Sequence, residues 1–493
     1  MRVLFCVILS LLIVGSVVTY LGLPEVQKEP RVLYWVVDGV PARKHQADVF
    51  EKWMVDNGYP AVDLRIEVSK SYKVNVVQGV SGVAGDILGC YQGEINLYQS
   101  IGLLEDVTDI AQEMGFDVSH TYPAIRPAML VDGRQYGFPR NVGVGIFWVN
   151  VKAFEELGLP TPPEIWTFDE FERVGKAYVQ RSNIPDKFQS VYLSQNLRHG
   201  IRNIFLRSMG VDMYNETMTG SSLQSPEVEE LYHLFYRWTK DLKILATKEG
   251  AKALSSGSDV QSSARLYLFS QGNYGLLFAG RWALMYFREI GPEKLSISEI
   301  PYQSFRNTTF GYGASTIYKG SKNKDLAYYF LKFMASPAFN KEIIRNADGL
   351  PPVPEYATVK EFSKPEQYPE EWGLHDRFRE VAEEIAISDS YCPFIPQRMA
   401  ERYEQAALDK FLMNRMSAKE ALKDAAERIE NHILGFVSQS ERLEKKYRKL
   451  LQDQQEIDRL RAAGEMVPLE LITNPFYRRY YVEKGWSLPV DDG

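Results

Sequence analysis

Cysteine is the scarcest reactive group in this chain. There are three in 493 residues, and Cys6 falls within the first apolar run. A disulfide framework is thereby excluded. Cys90 and Cys392 leave room for one bridge between distant parts of the chain, or for two separate apolar thiols. Histidine is almost as sparse. His45, His120, His199, His233, His375 and His432 stand at no metal-ligand spacing, and neither H-E-x-x-H nor C-x-x-C occurs, so no metal site is expected. An excess of base is also missing: 57 Lys and Arg against 64 Asp and Glu give a net charge of −7. Phosphate backbones require a basic face, so nucleic acid is excluded as a partner. The Gly-rich stretch Gly79 to Gly93 (GVSGVAGDILGCYQG) does not fit G-x-G-x-x-G or a Walker loop, and Ser81 does not sit in a G-x-S-x-G elbow. Adjacent carboxylates, Glu155-Glu156 and Glu370-Glu371, stand in charged contexts and read as solvated faces rather than a glycosidase pair. No enzyme activity and no cofactor are expected.

Aromatic side chains, in contrast, are plentiful at 13% of the chain, with 29 Tyr and 8 Trp. They suit a large core, or a carbohydrate cleft in which flat rings stack on sugar C–H faces. The length calls for two to four domains, or one two-lobed body with an extension. Val3 to Leu23 carries no charge and as a helix would span ~32 Å, enough for a bilayer core. Arg2 precedes it, which directs the following chain outward. Residues 1–24 therefore read as an uncleaved signal-anchor, with a cleaved signal peptide as the alternative. Either way the body is extracytoplasmic, on the periplasmic side.

The stretch Asp132 to Glu170 is rich in local instructions. Asp132-Gly133 marks a turn, and Tyr136 to Pro139 reads as a short exposed strand end closed by proline. Val142 to Val149 is Gly, aromatic and β-branched, as a buried strand is. Asn150 caps a helix through Leu157, Gly158 occupies the left-handed position after it, and Thr167 with Glu170 forms a capping box. Such a run carries a chain from one α/β lobe to another. Upstream, Val32 to Val37 reads as a first buried strand, His45 to Val55 as a helix, and Asp63 to Val68 as a second strand. In open α/β sheets ligands sit beyond the carboxyl ends of strands, which nominates Trp35 and Asp38. Tyr91, at the far end of the Gly-rich stretch, is a further ligand candidate. Arg140 and Asn141 offer planar hydrogen-bonding groups at the crossover. Tyr312, flanked by Gly311 and Gly313, marks a ring beside closely approached backbone.

Several phrases together resemble the maltose-binding-protein-like sugar-binding proteins of bacterial ABC importers. They are DG-x-x-YG-x-P, the aromatic strand ending in Asn150, F-x-x-x-GL, and P-x-x-W-x-x-x-E-F. Gly102, Leu104 and Thr108, then Leu268 to Trp282, Ser321 to Pro337, and Glu420 to Ala425 (EALKDA) extend the likeness. The resemblance implies two α/β lobes joined by hinge crossovers and closing on a mono- or oligosaccharide. The closed form would be delivered to ABC permease subunits in the membrane. It implies that Asp86 meets sugar hydroxyls and that Trp282 stacks on the ligand. Residues 30–141 and 281–335 would form the first lobe, and 142–280 and 336–434 the second. One departure is local: Arg398, Glu401 and Arg402 follow Pro396-Gln397, where the family carries an aromatic cluster. Residues 435–493 exceed the family's usual end. There Leu443, Tyr447, Leu450 and Ile457 share one stripe of a charge-rich helix that packs back or receives a partner. Two other classes fit the same residues: a membrane-anchored ligand sensor ectodomain, and an anchored polysaccharide-degrading enzyme.

Overall fold

Runs of β-branched and aromatic residues make the first sheet. A computed structural model of the chain describes residues 12–16, 30–69, 71–91, 93–182, 192–193, 199–245, 261–292 and 294–488. In it, RVLYWVV forms β1 (Arg31–Val37), followed by helix Ala42–Asp56 and β2 (Val62–Val68). β1 pairs in parallel with β2 and with β3 (Ile87–Cys90). A short hairpin, β4 (Leu130–Val131) with β5 (Arg134–Gln135), precedes β6 (Gly137–Val144). The long strand β10 (Thr308–Ile317) returns from far downstream and runs antiparallel to both β3 and β6. β11 (Ala386–Ser388) lies parallel to its start. Helices Ala42–Asp56, Lys324–Ala335 and Pro337–Asn346 cover one face of this six-stranded sheet, burying Phe50, Phe330, Phe333 and Ile343.

A second, three-stranded sheet has β7 (Ile146–Asn150) between β8 (Leu276–Ala279) and β9 (Leu295–Ser298), all antiparallel. Its core is aromatic: Phe171, Phe205 and Trp238 meet with ring centroids 5.2–6.3 Å apart. Edge-on contacts of this kind add about 0.5–1.5 kcal/mol each beyond area burial. The chain passes between the sheets at Gly145, where a Cβ would lie 2.2 Å from the Phe278 ring. No larger residue fits there without moving Phe278.

The expected caps form. Asn150 accepts from the Ala153 amide, Thr167 completes its capping box with Glu170, and Gly158 has φ +63°. Such caps are worth about 1 kcal/mol each. Three expectations require correction. The segment through Pro139 is not an exposed end but the buried interior of β6, and the strand expected over Val142–Val149 breaks at Gly145 into β6 and β7 of different sheets. β9 falls in a segment assigned to the first lobe yet pairs with β7. Helix Pro337–Asn346, assigned to the second, packs on helix Ala42–Asp56.

The chain beyond residue 434 packs back on the body. Helix Glu441–Ala463 buries Leu450 and Ile457, and Tyr447 meets Phe394 edge-on at 5.2 Å. After Gly464 the chain forms helix Pro475–Glu483. Ile457, Leu460, Ile472, Phe476 and Tyr481 join Phe305 and Ile387 in one apolar cluster, just where β10 begins and β11 runs. Glu216 accepts hydrogen bonds from Gln454, Arg461 and Tyr481 of this extension. Cys90 and Cys392 are buried, unpaired thiols. The anchor expected over Val3–Leu23 lies, apart from residues 12–16, outside the described residues; among those described no helix is long and apolar enough to cross a membrane.

Candidate functional site

Side chains from three strands and the backbone of a fourth meet at one end of the larger sheet. Asp38 follows β1, Tyr91 follows β3, Arg140 and Asn141 lie on β6, and Gly313 lies on β10. The pairing of β6 with β10 explains how Arg140 reaches the group. Pro139 faces Ala314 and Asn141 faces Gly313, so Arg140 is the extra residue of a β-bulge. Bulges re-aim side chains in this way. Gly313 makes the room: a Cβ there would stand 2.5 Å from Arg140 Nη2 and 2.7 Å from Asn141 Oδ1.

Arg140 Nη2 donates to Asp38 at 3.1 Å and to the Tyr91 hydroxyl at 3.3 Å, and Tyr91 donates to Asp38. Arg43 also donates to Asp38, through Nε at 3.0 Å, and its Nη1 pairs with Asp348. Asp348 further accepts from Gln46 at 3.1 Å and from Asn141 at 2.8 Å. Two cations and two carboxylates thus alternate in one nearly buried chain. Burial alone would raise the Asp38 pKa, but the charges of Arg140 and Arg43 outweigh it and hold the carboxylate well below its usual range. Arg140 is 1% exposed, and its Nε and Nη1 find no hydrogen-bond partner among the described residues. The Tyr91 ring is 39% exposed beside them. The cluster therefore presents an open aromatic face over fixed dipoles, with donor capacity in reserve.

The other expected site residues are distributed differently. Asn141 belongs to the cluster but spends its amide on Asp348, with contacts to both the carboxylate and the backbone carbonyl. Tyr312 lies near this end of β10 but is 7% exposed, and burial pushes its hydroxyl pKa up. Trp282 is partly buried, edge-on to Tyr286 at 6.3 Å, with Gly280 beneath its indole. Two residues are not at this end. Trp35 is fully buried and packs on Phe330 at 4.9 Å, because side chains in mid-strand point into a layer rather than beyond the strand end. Asp86 precedes β3, at the opposite end of the sheet. It accepts from the Tyr34 amide at 2.9 Å, Ser321 at 2.5 Å and Asn323 at 3.2 Å, which makes it a clasp for helix Lys324–Ala335.

Arg43 and Asp348 went unread in the sequence. Arg43 had a signal: a cation in the first turn of a helix opposes the helix dipole and needs another reason to be there. A second buried polar group lies nearby. Arg281 donates to the carbonyls of Ile344 and Gly349 and, through Nε at 2.9 Å, to His375 Nδ1. His375 Nε2 stands 3.0 Å from Glu371, which holds Arg288 bidentately at 2.7 and 2.8 Å. Among the described residues no group of three His, Cys, Asp or Glu is arranged to hold a metal.

Polar and aromatic groups thus gather at the strand ends of an α/β fold. The chain belongs to the bacterial extracellular solute-binding protein family, whose profile matches residues 79–370. Solved structures share the fold at low identity. An ABC substrate-binding protein from Listeria monocytogenes, in complex with cycloalternan, is 20% identical with a TM-score of 0.70, over 83% of this chain and 100% of that one. A solute-binding protein from Thermotoga lettingae bound with α-D-tagatose is 16% identical, TM-score 0.67, over 82% and 100%. The GacH receptor of Streptomyces glaucescens, solved unliganded and with acarbose, is 16% identical, TM-score 0.66, over 82% and 99%. No curated protein sequence matches the chain.

Proposed function

We propose that this protein captures a carbohydrate between its lobes, at the Asp38–Tyr91–Arg140 cluster, and presents it to an ABC-type permease. An N-terminal anchor over residues 1–24 would keep it on the periplasmic face of the membrane. The carrying observation is the buried Arg140, with donors in reserve, beneath an exposed Tyr91 ring. Sugars need both features: a flat apolar face for ring C–H groups, and oriented polar atoms for hydroxyls. Hinge closure on a ligand is the handling expected of periplasmic binding proteins, and it requires that the ligand bind the closed form better than the open one. A micromolar ligand supplies about 8 kcal/mol in total. The solved relatives named above with bound saccharides support the same class of ligand.

The test is a thermal-shift and calorimetric screen of the purified protein against mono- and oligosaccharides. A true ligand at about 100-fold its Kd stabilises the fold by about 2.7 kcal/mol. Tyr91→Ala should weaken that hit by about 1–3 kcal/mol, the range for an aromatic stacking contact. A hit whose affinity is unchanged by Tyr91→Ala removes the cluster from the binding surface, and turnover of the sugar would replace the receptor reading with an enzymatic one.

A further inference from the structure

Arg398 follows directly on Pro396-Gln397, just ahead of Glu401 and Arg402, which occupy the positions where the family resemblance implied rings. It lies in the first turn of helix Gln397–Leu412, whose core contacts belong to the second lobe. A cation there opposes the helix dipole, so helix stability does not account for it. Its guanidinium reaches residues of the first lobe. Nη2 donates to Glu94 Oε1 at 3.0 Å, and Cζ lies 4.5 Å from the centre of the Tyr72 ring. Glu94 is 6% exposed and spends its other oxygen on the Tyr91 amide at 3.0 Å. One residue of the second lobe therefore grips the loop that carries Tyr91 and the first residue of helix Tyr72–Val80. Tyr391 joins it on the same side, its ring packed so closely that a Cβ on Gly93 would lie 3.2 Å away.

We propose that Arg398 is the positioning residue by which the second lobe holds the closed cleft: a latch on Glu94 and Tyr72 that slows ligand release without touching ligand. In this proposal, opening the lobes withdraws the guanidinium from both partners, which belong to segment 30–141 whereas Arg398 belongs to segment 336–434. The planar cation on an aromatic face and the charge-assisted hydrogen bond are lost together. A side chain that only closes the door acts on the dissociation rate, since association starts from the open form.

The kinetic part rests on the carbohydrate reading, so the experiment has an arm that does not. Spin labels at Lys52→Cys in the first lobe and Lys419→Cys in the second, in the full chain with Cys6→Ser, report the inter-lobe distance without ligand. Cys90 and Cys392 are buried. Arg398→Ala should lengthen and broaden that distance, Arg398→Lys should fall between it and the parent, and Glu94→Gln should lengthen it from the other side. With the sugar found by screening, Arg398→Ala should raise the dissociation rate about tenfold and leave the association rate within about twofold, as two modest polar contacts predict. An unchanged distance distribution in folded Arg398→Ala and Glu94→Gln overturns the latch, as does a loss of affinity carried by the association rate. If no sugar binds, the distances still decide the latch, and only the ligand class falls.

Discussion

His375 provides a test in which the structure sets both sign and size. Its Nδ1 accepts from Arg281 Nε at 2.9 Å, so the ring is neutral with its proton on Nε2, facing Glu371. A second proton could go only on Nδ1, against a guanidinium already there. Burial first, then the Arg281 charge, lower its pKa from 6.5 to about 4, although Glu371 pulls the other way. The unfolded chain takes up this proton as pH falls through 6.5, while the folded chain refuses it until about 4. Stability is therefore complete above about pH 6.5 and is lost as pH falls toward 4. At about 1.36 kcal/mol per pKa unit, the loss between about pH 7.5 and pH 4.5 is about 2.5 kcal/mol from this residue. Urea unfolding of the parent and of His375→Gln at both pH values measures it. The glutamine oxygen still accepts from Arg281 but does not titrate, so the variant's stability should fall by about 2.5 kcal/mol less. Burial opposes it, but hydrogen bonds from Arg288 and His375 hold Glu371 at about 2, so its stabilisation is complete above its unfolded value of 4.5 and is lost only as pH falls below that. Equal losses in parent and variant would refute the neutral-imidazole reading.

Two further substitutions probe the cluster. Gly313→Ala places a methyl 2.5 Å from Arg140 Nη2 and should push that arginine off Asp38, costing about 1–3 kcal/mol of stability and weakening ligand binding about tenfold by calorimetry. Asp348→Ala leaves the buried Arg43 with Asp38 as its remaining carboxylate partner and should cost about 1.5–3 kcal/mol in urea titration, whereas an exposed control such as Asp63→Ala should cost less than about 1.

Local structure was legible wherever a single residue type has one physical use. Asn150, Thr167 and Glu170 cap the helices expected of them, and Leu450 and Ile457 of the expected stripe in helix Glu441–Ala463 are buried. The two-lobed family fold was readable from the order of its motifs. The break at Gly145 was not, because a glycine between two strands of similar composition does not say whether the chain continues in the same sheet. The candidate site was half legible. Asp38 and Arg140 followed from strand ends and planar groups, and Tyr91 proved to be their neighbour. Trp35 and Asp86 misled for the same reason: position along a strand decides which end or layer a side chain serves, and register is set by partners far away in sequence. Arg43 and Asp348 are such partners, 305 positions apart.

The placement of β10 and of the final helix has a consequence for the order in which the molecule can be built. β1, β2 and β3 leave the ribosome before β10, so β3, which pairs with β1, gains its second neighbour only when Ala314–Ile317 arrives. Phe305 and Ile387 are covered by Phe476 and Tyr481, which follow them much later in the chain. Until then the nascent chain carries an unpaired strand edge and an uncovered aromatic patch, both adhesive to other chains. A polypeptide of this topology stays vulnerable until the residues up to Tyr481 have been made and have folded back.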